Sequence, residues 1–350
     1  MTENTGEEDQ ISEENEQQED LFEHHNLIAD VGQEAIRIDK FLMKRLPNVS
    51  RNRLQTIAKA GTLFVNGKSV KSNYKVRPKD EISVVLPYPV REIKLIPEDI
   101  PIEVLYEDDQ MIMVNKPANM VVHPGFGNYS GTLLNGLVYH FDSLPKKDDY
   151  FGRPGLVHRL DKQTTGILVV AKTEVALTHL AKQFHDRTSE RVYYALVWGD
   201  LTENEGTITG PIGRSKKNRK VFQVYDEDEE YGKHAVTHYK VVERFGYVTL
   251  VECKLETGRT HQIRVHFKHI GHPLFHDLEY GGDRILKGTT FTKYQQFINN
   301  CFKLLPGQAL HAKTLGVEHP ITGERVYYDS ELPEGFLKLL AKWRVYSKNV

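Results

Sequence analysis

Cysteine is scarce in this chain. Cys253 and Cys301 are the only two among 350 residues, too few for a disulfide framework or a four-cysteine zinc site. No stretch approaches the ~18 uninterrupted apolar residues that a membrane span needs. The N-terminus lacks a positive region followed by an apolar core, which argues against a secretory leader. A reduced, cytoplasmic, soluble protein with no membrane partner is therefore expected. Lys and Arg are missing altogether from residues 1–34, which carry twelve acids and so hold −12. Such a Glu/Gln/Asp/Asn-rich segment buries too little apolar surface to offset chain entropy. Residues 1–34 read as an acidic, disordered tail, either solubilising or competing with a polyanion for the rest of the chain.

The charge then reverses. Residues 35–90 carry twelve Lys or Arg against Asp39, Asp80 and Glu81, a balance of +9. With a net charge of −2 for the whole chain, 91–350 is left at about +1. An acidic tail, a basic module and a neutral body point to a polyanion partner for the module. Within it, Ile38, Phe41, Leu42 and Leu46 form one helical stripe that Pro47 stops. Ser50 can cap a second helix with Leu54, Ile57 and Ala58 inward, leaving Arg51, Arg53 and Lys59 exposed. Asn66-Gly67, between Leu63-Phe64-Val65 and Lys68-Ser69-Val70, is a strong hairpin signal, and Val76 to Leu86 supplies a further strand. Two short helices followed by a small basic sheet resemble an S4 RNA-binding domain, expected over 35–90. Its RNA contacts are then expected from Arg51, Arg53, Lys59 and Lys68.

Pro87 and Pro89 lead into a linker, 91–101, that Pro97 and Pro101 punctuate, and one long mixed region covers 102–345. Met111-Ile112-Met113-Val114 and Ile167-Leu168-Val169-Val170-Ala171 are buried-strand candidates. Thr173 caps a helix with Leu177, Leu180, Ala181 and Phe184 on one face. In the strand Arg191 to Trp198, Tyr193, Ala195 and Val197 share one side and Tyr194, Leu196 and Trp198 the other. Strands alternating with a few helices argue an α+β fold rather than a doubly wound one. Two tempting sites fail. The glycines of Gly125-Phe126-Gly127-Asn128-Tyr129-Ser130-Gly131 have the wrong spacing for a dinucleotide loop, so no nucleotide cofactor is expected. His269, His272 and His276 have ligand-like spacing, but Gly271 and Pro273 break any helix that would align them, so no metal is expected.

The segment His158-Arg159-Leu160-Asp161-Lys162-Gln163-Thr164-Thr165-Gly166 sets an acid between two cations, in a turn feeding a buried strand. It resembles the signature of pseudouridine synthases of the RluA/RluD family. Asn115-Lys116-Pro117-Ala118 with Val122-His123-Pro124-Gly125, the Arg191-x-Tyr193-x-Ala195 strand, Thr257-Gly258-Arg259-Thr260-His261-Gln262-Ile263-Arg264, and Gln308-Ala309-Leu310-His311-Ala312 resemble further blocks of that family, in order. The similarity extends over about 36–345. Phe275-His276 before Asp277, Leu315-Gly316-Val317, and a long segment from Asp283 to Leu305 depart from the usual pattern.

The resemblance implies an S4 module followed by a mixed, mainly antiparallel catalytic sheet. It implies an isomerase that converts uridine to pseudouridine in large-subunit (23S) ribosomal RNA after flipping the base. No cofactor is implied, and a monomer is expected. Asp161 would be the essential carboxylate. Whether it attacks C1′, attacks the base or deprotonates C2′ is open at this level. Tyr193 would stack on the base, and Arg264, on a helix capped by Thr260 with Ile263, Phe267 and Ile270 inward, would pair bidentately with Asp161. Arg159 would hold the RNA and fill the stack. Two other classes fit the same fold: a non-catalytic RNA-binding ribosome-assembly factor, against which an intact Asp161, Tyr193 and Arg264 argue, and a nucleosidase, in which the same carboxylate lets water capture C1′.

Overall fold

A computed structural model describes residues 22–46, 51–86, 95–125, 127–141, 144, 154–218, 220–226, 228–229 and 231–348. The chain forms two compact units that divide between residues 92 and 93.

In the first unit the strand β1 (Phe22–Ile28) is followed by the helices α1 (Ile38–Arg45) and α2 (Arg51–Lys59). Three more strands complete it: β2 (Leu63–Val65), β3 (Lys68–Ser69) and β4 (Glu81–Leu86). The sheet runs β1-β4-β2-β3. Asn66 (φ 49°) and Gly67 (φ 74°) both take the left-handed backbone that a two-residue turn between β2 and β3 needs. Phe41, Leu42, Leu54, Leu63 and Ile82 are fully buried between helices and sheet, as the helical stripes require. The strand near Val76 begins only at Glu81, because Arg77 to Asp80 is taken up by a turn in which the Asp80 carboxylate accepts from the Arg77 N–H at 2.7 Å. β1 corrects the reading of 1–34 as tail throughout: residues 22–28 pair antiparallel with β4, from Phe22 opposite Leu86 to Ile28 opposite Glu81. Ala29 behind it is buried. The Ser50 cap and the Pro47 stop lie outside the described residues.

The second unit opens with β5 (Glu103–Glu107), β6 (Met111–Lys116), α3 (Leu133–His140), β7 (Thr165–Ala171), α4 (Glu174–Asp186) and β8 (Glu190–Trp198). It continues through β9 (Glu205–Arg214), β10 (Phe222–Val224), β11 (Lys233–Arg244), β12 (Val248–Leu255) and α5 (Gln262–His269). It closes with α6 (Thr292–Phe302), β13 (Leu310–Glu318), β14 (Arg325–Asp329) and α7 (Glu334–Ser347). Ten strands form one sheet in the order β10-β9-β11-β12-β8-β13-β7-β6-β5, with β14 beside β13. Only β7 and β13 pair in parallel; the other described pairs are antiparallel. The architecture is α+β.

Both faces of this sheet are covered, so its central strands are apolar throughout rather than alternating. Tyr193, Ala195 and Val197 of β8 enter a core with Leu168, Val170, Ile263 and Phe267. Leu196 and Trp198 enter the opposite core with Phe275, Ile298 and Trp343. The segment from Asp283 to Leu305 builds that second core through α6, with Tyr294, Ile298 and Cys301 buried. Phe275, fully buried, stacks at a tilt on Trp198 at 5.0 Å, and His276 stacks on Phe302 at 4.7 Å. These departures from the family pattern therefore serve the face away from Tyr193.

The prolines of 91–101 misled in part. Glu98 N–H donates to the Asn135 carbonyl, Asn135 Nδ2 donates to the Ile96 carbonyl at 2.8 Å, and Leu95 and Ile102 pack on the core. Residues 95–101 are thus bound to α3 instead of serving as a free linker. A chain without its own helix or strand satisfied its polar groups by docking. Among the described residues no helix is long and apolar enough to cross a membrane.

Candidate active site

Asp161 sits in the turn that precedes β7, and that turn is tied down from several sides. The Thr164 N–H donates to the Asp161 carbonyl at 3.1 Å. Gln308 Nε2 donates to Thr164 Oγ1 at 3.3 Å, and Asn119 N–H donates to Gln163 Oε1 at 3.1 Å. Beneath it lies Lys116, at the end of β6 and fully buried. Its ammonium donates to the carbonyls of Pro117 (2.7 Å), Met120 (2.9 Å) and Lys162 (3.2 Å). Burial pushes the Lys116 pKa down to about 7, against the pull of the Asp161 charge. The strand leaves this turn through Gly166, whose φ of +111° and close approach to Ala312 admit no side chain; a Cβ there would lie 2.2 Å from the Ala312 carbonyl.

The cation that reaches Asp161 comes from far along the chain. Arg264 Nη1 donates to Asp161 Oδ2 at 3.1 Å. The neighbouring cations expected to flank the carboxylate do not hold it: Lys162 Nζ turns to Asn128 Oδ1, and Arg159 is exposed at the cavity mouth. The expected bidentate pairing of Arg264 with Asp161 is also corrected. Its bidentate partner is Asp277, through Nε to Oδ2 at 2.7 Å and Nη2 to Oδ1 at 2.9 Å. Asp277 is fully buried and is itself fixed by the N–H groups of Glu279 and Tyr280. With the Nε–Nη2 edge of the planar guanidinium so occupied, one Nη1 bond is left for Asp161. Nη2 also reaches Glu279 at 2.6 Å. Burial disfavours the Arg264 charge, but the hydrogen bonds and charge of Asp277, with Asp161 and Glu279, outweigh it and hold its pKa above the ordinary value.

α5 places Arg264 as expected but by other means. Its cap is His261, in left-handed backbone (φ 56°) with no side-chain cap bond, not Thr260, and Ile270 is exposed rather than core. The left-handed turn brings His261 Nε2 to 3.8 Å from Asp161 Oδ1, while Nδ1 lies 2.8 Å from the Tyr280 hydroxyl. Burial lowers the His261 pKa first of all, and the charges of Asp161 and Arg264 act on it in opposite directions.

Tyr193 projects from β8 into the cavity before Asp161, a space of about 510 Å³ lined also by Arg159, Leu255 and Thr257. It is 8% exposed, and burial raises its pKa. His158 is structural: its Nε2 accepts from the Val169 N–H at 3.0 Å, its ring stacks on Phe184, and burial with the nearby Arg191 charge pushes its pKa down to about 3. Thus a held carboxylate, a buried cation and an aromatic ring converge on one cavity, over more than a hundred residues of chain.

Two family profiles match: the S4 domain over residues 36–82, and RNA pseudouridylate synthase over residues 110–269. An RNA pseudouridine synthase of Chlorobaculum parvum is 46% identical over 316 residues, 89% of this chain and 95% of that one. The chain belongs to the RNA pseudouridine synthases. A Pseudomonas aeruginosa relative, named ribosomal large subunit pseudouridine synthase D, is 42% identical over 88% of this chain and 92% of its own. A solved structure, human RNA pseudouridylate synthase domain containing 1, superposes with a TM-score of 0.51 at 26% identity, over 67% of this chain and 85% of that one. The family reading therefore agrees with the residues that carried it.

As a pseudouridine synthase, the protein brings Asp161, Tyr193, Arg264 and Arg159 together in the catalytic unit. The S4 candidates lie in the other unit. Lys59 and Lys68 are exposed on α2 and β3, whereas Arg51 Nε is engaged with the buried Asp39 at 3.1 Å. The Arg53 side chain lies outside the described residues. Reasoning from sequence missed Asp277, Glu279, His261 and Lys116 as parts of the site. Only Lys116 had a local signal, a lysine closing an apolar strand just before a proline.

Proposed function

We propose that this pseudouridine synthase acts on large-subunit ribosomal RNA, with Asp161 as the essential carboxylate. The single observation that carries the residue roles is the Arg264–Asp161 bond. It fixes one carboxylate oxygen from behind and leaves the other beside a cavity that Tyr193 lines. The reaction is an isomerisation: the C1′–N1 bond of a uridine breaks, the base turns, C5 bonds to C1′, and the C5 proton leaves while N1 gains one. Atoms and electrons balance without a donor or an oxidant. Asp161 supplies the carboxylate, Arg264 orients it, and Tyr193 stacks on the flipped base. Arg159, exposed at the mouth, takes the place of that base in the RNA stack. The basic S4 unit, through Arg51, Arg53, Lys59 and Lys68, adds backbone affinity that weakens with salt. The target class is supported by the S4 module and by relatives named for the large ribosomal subunit.

The test uses ribosomal RNA transcripts carrying tritium at uridine C5, from the large and the small subunit, with wild type and Asp161→Ala. Tritium release from the large-subunit transcript alone, without free uracil and lost in the variant, is expected. Free uracil would mean a nucleosidase. No release from any transcript would leave an RNA-binding assembly factor.

A further inference from the structure

The cavity before Asp161 does not end at the reacting carboxylate. It continues past Tyr193 to the last turn of α4, where Phe184, His185 and Arg187 line it together with Arg191 of β8. Arg191 differs from Arg264 and Arg259 in having no carboxylate or carbonyl partner among the described residues. Arg264 donates four hydrogen bonds, to Asp277, Glu279 and Asp161, and Arg259 Nε donates to the His234 carbonyl. Arg191 Nε is buried with no hydrogen-bond partner. Its guanidinium lies 5.3 Å over the Phe184 ring. From the other side the backbone of Gly258 closes on it: a Cβ at that glycine would stand 3.2 Å from Arg191 Nη1. Glu256, the carboxylate in the same cavity besides Asp161, is held by His238 at 2.7 Å. A cation confined between an aromatic ring and a glycine, with its buried Nε–H unfilled, is prepared for an anion.

Its place in β8 says which anion. Arg191 and Tyr193 are two residues apart, so they leave the strand on the same face, about 7 Å apart along it. That span matches the separation between a nucleobase and the phosphodiester on its own ribose. We propose that Arg191 grips the RNA backbone phosphate adjoining the target uridine while Tyr193 holds that uridine's base. The ligand is a phosphodiester of single-stranded, flipped-out RNA, and the assignment rests on the reading of the cavity as the pseudouridine-forming site. Phe184 backs the guanidinium, and any side chain at position 258 would crowd its Nη1.

The experiment compares wild type, Arg191→Gln and Arg191→Lys on the tritiated large-subunit transcript over a range of salt. R191Q is expected to raise KM about tenfold, with kcat within a few-fold of wild type. The slope of log KM against log salt should fall by about 0.7, one single-strand phosphate contact. R191K, which keeps the charge without the fork, should keep the slope and recover part of the KM. Unchanged KM and slope in R191Q overturn the proposal. So does a fall in kcat at wild-type slope, which would mean that Arg191 acts through Tyr193 or His158. Should R191Q fail to fold, phenylglyoxal modification of the wild type decides: Arg191 must be protected by bound transcript, and an unprotected Arg191 overturns the proposal. A wild type that releases no tritium refutes the enzymatic reading and this proposal with it. An active wild type beside an unaltered R191Q refutes this proposal alone.

Discussion

Replacing Asp277 by asparagine separates the two jobs that the Arg264 cluster does. Asp277 is fully buried and accepts two of the four hydrogen bonds that Arg264 donates, at 2.7 and 2.9 Å. Asparagine keeps the shape but offers one acceptor and one amide donor, so one of those two contacts becomes donor against donor. Breaking a buried ion pair from one side costs about 3–5 kcal/mol. At roughly 2–4 °C per kcal/mol for a unit of this size, the melting midpoint should fall by about 6–20 °C. The guanidinium, no longer held on its Nε–Nη2 edge, then follows Asp161 and Glu279. If Asp161 is the essential carboxylate, as proposed, a displacement on the order of 1 Å there lowers the rate by about a hundredfold. Glu279 provides the internal comparison. Its side chain is 46% exposed, so Glu279→Gln should cost about 0–1 kcal/mol and leave the single-turnover rate within a few-fold. Calorimetry and single-turnover tritium release on the same preparations give both numbers. The reasoning is refuted if D277N melts and turns over like wild type, or if E279Q is as damaging as D277N.

Two further outcomes follow from backbone and from burial. Gly166→Ala must put a Cβ against the Ala312 carbonyl at φ +111°, where β7 and β13 pair, and should lose more than about 3 kcal/mol. Gly246→Ala, at φ +79° in open space, should lose only about 1–2 kcal/mol, and equal losses by urea denaturation would contradict this. His311 is fully buried between Thr165 Oγ1 and Ser330 Oγ, and burial pushes its pKa down to about 4. The unfolded imidazole, near 6.5, binds its proton first, so stability is whole above pH 6.5 and drains as pH falls toward 4. His311 alone accounts for about 3 kcal/mol of that. Urea midpoints at pH 7 and 4.5 should show a smaller difference in His311→Gln than in wild type, and an unchanged difference would refute the assignment.

What could be read from the chain was what neighbours in sequence decide. Thr173 caps α4 by accepting from the Ala176 N–H at 3.1 Å, and Asn66-Gly67 turns between β2 and β3. The alternation along β8 divides it between two cores. These are contacts within a few residues, and side-chain chemistry specifies them directly. β1 could not be read, because its partner β4 lies more than fifty residues away and its acidic surroundings masked a seven-residue strand. The cap of α5 was misplaced for a related reason. His261 needs its left-handed backbone to reach Asp161 and Tyr280, a tertiary demand that overrode the better capping residue beside it. Asp277 stood out as no more than an acid after an unusual Phe-His pair, since nothing local distinguishes a buried carboxylate from an exposed one.

The charge balance looks different once cations are sorted by what they face. The body of the chain is nearly neutral, which at first says little about RNA. Among the described residues its most buried arginine, Arg264, meets Asp161, Asp277 and Glu279, so that cluster is net negative and repels a phosphate backbone. Among the described residues Arg159 and Arg191 have no carboxylate within ion-pair distance, and they line the same cavity as Tyr193. On the function proposed above, such sorting draws phosphates toward Arg159 and Arg191 and away from Asp161, which a uniformly basic surface could not do.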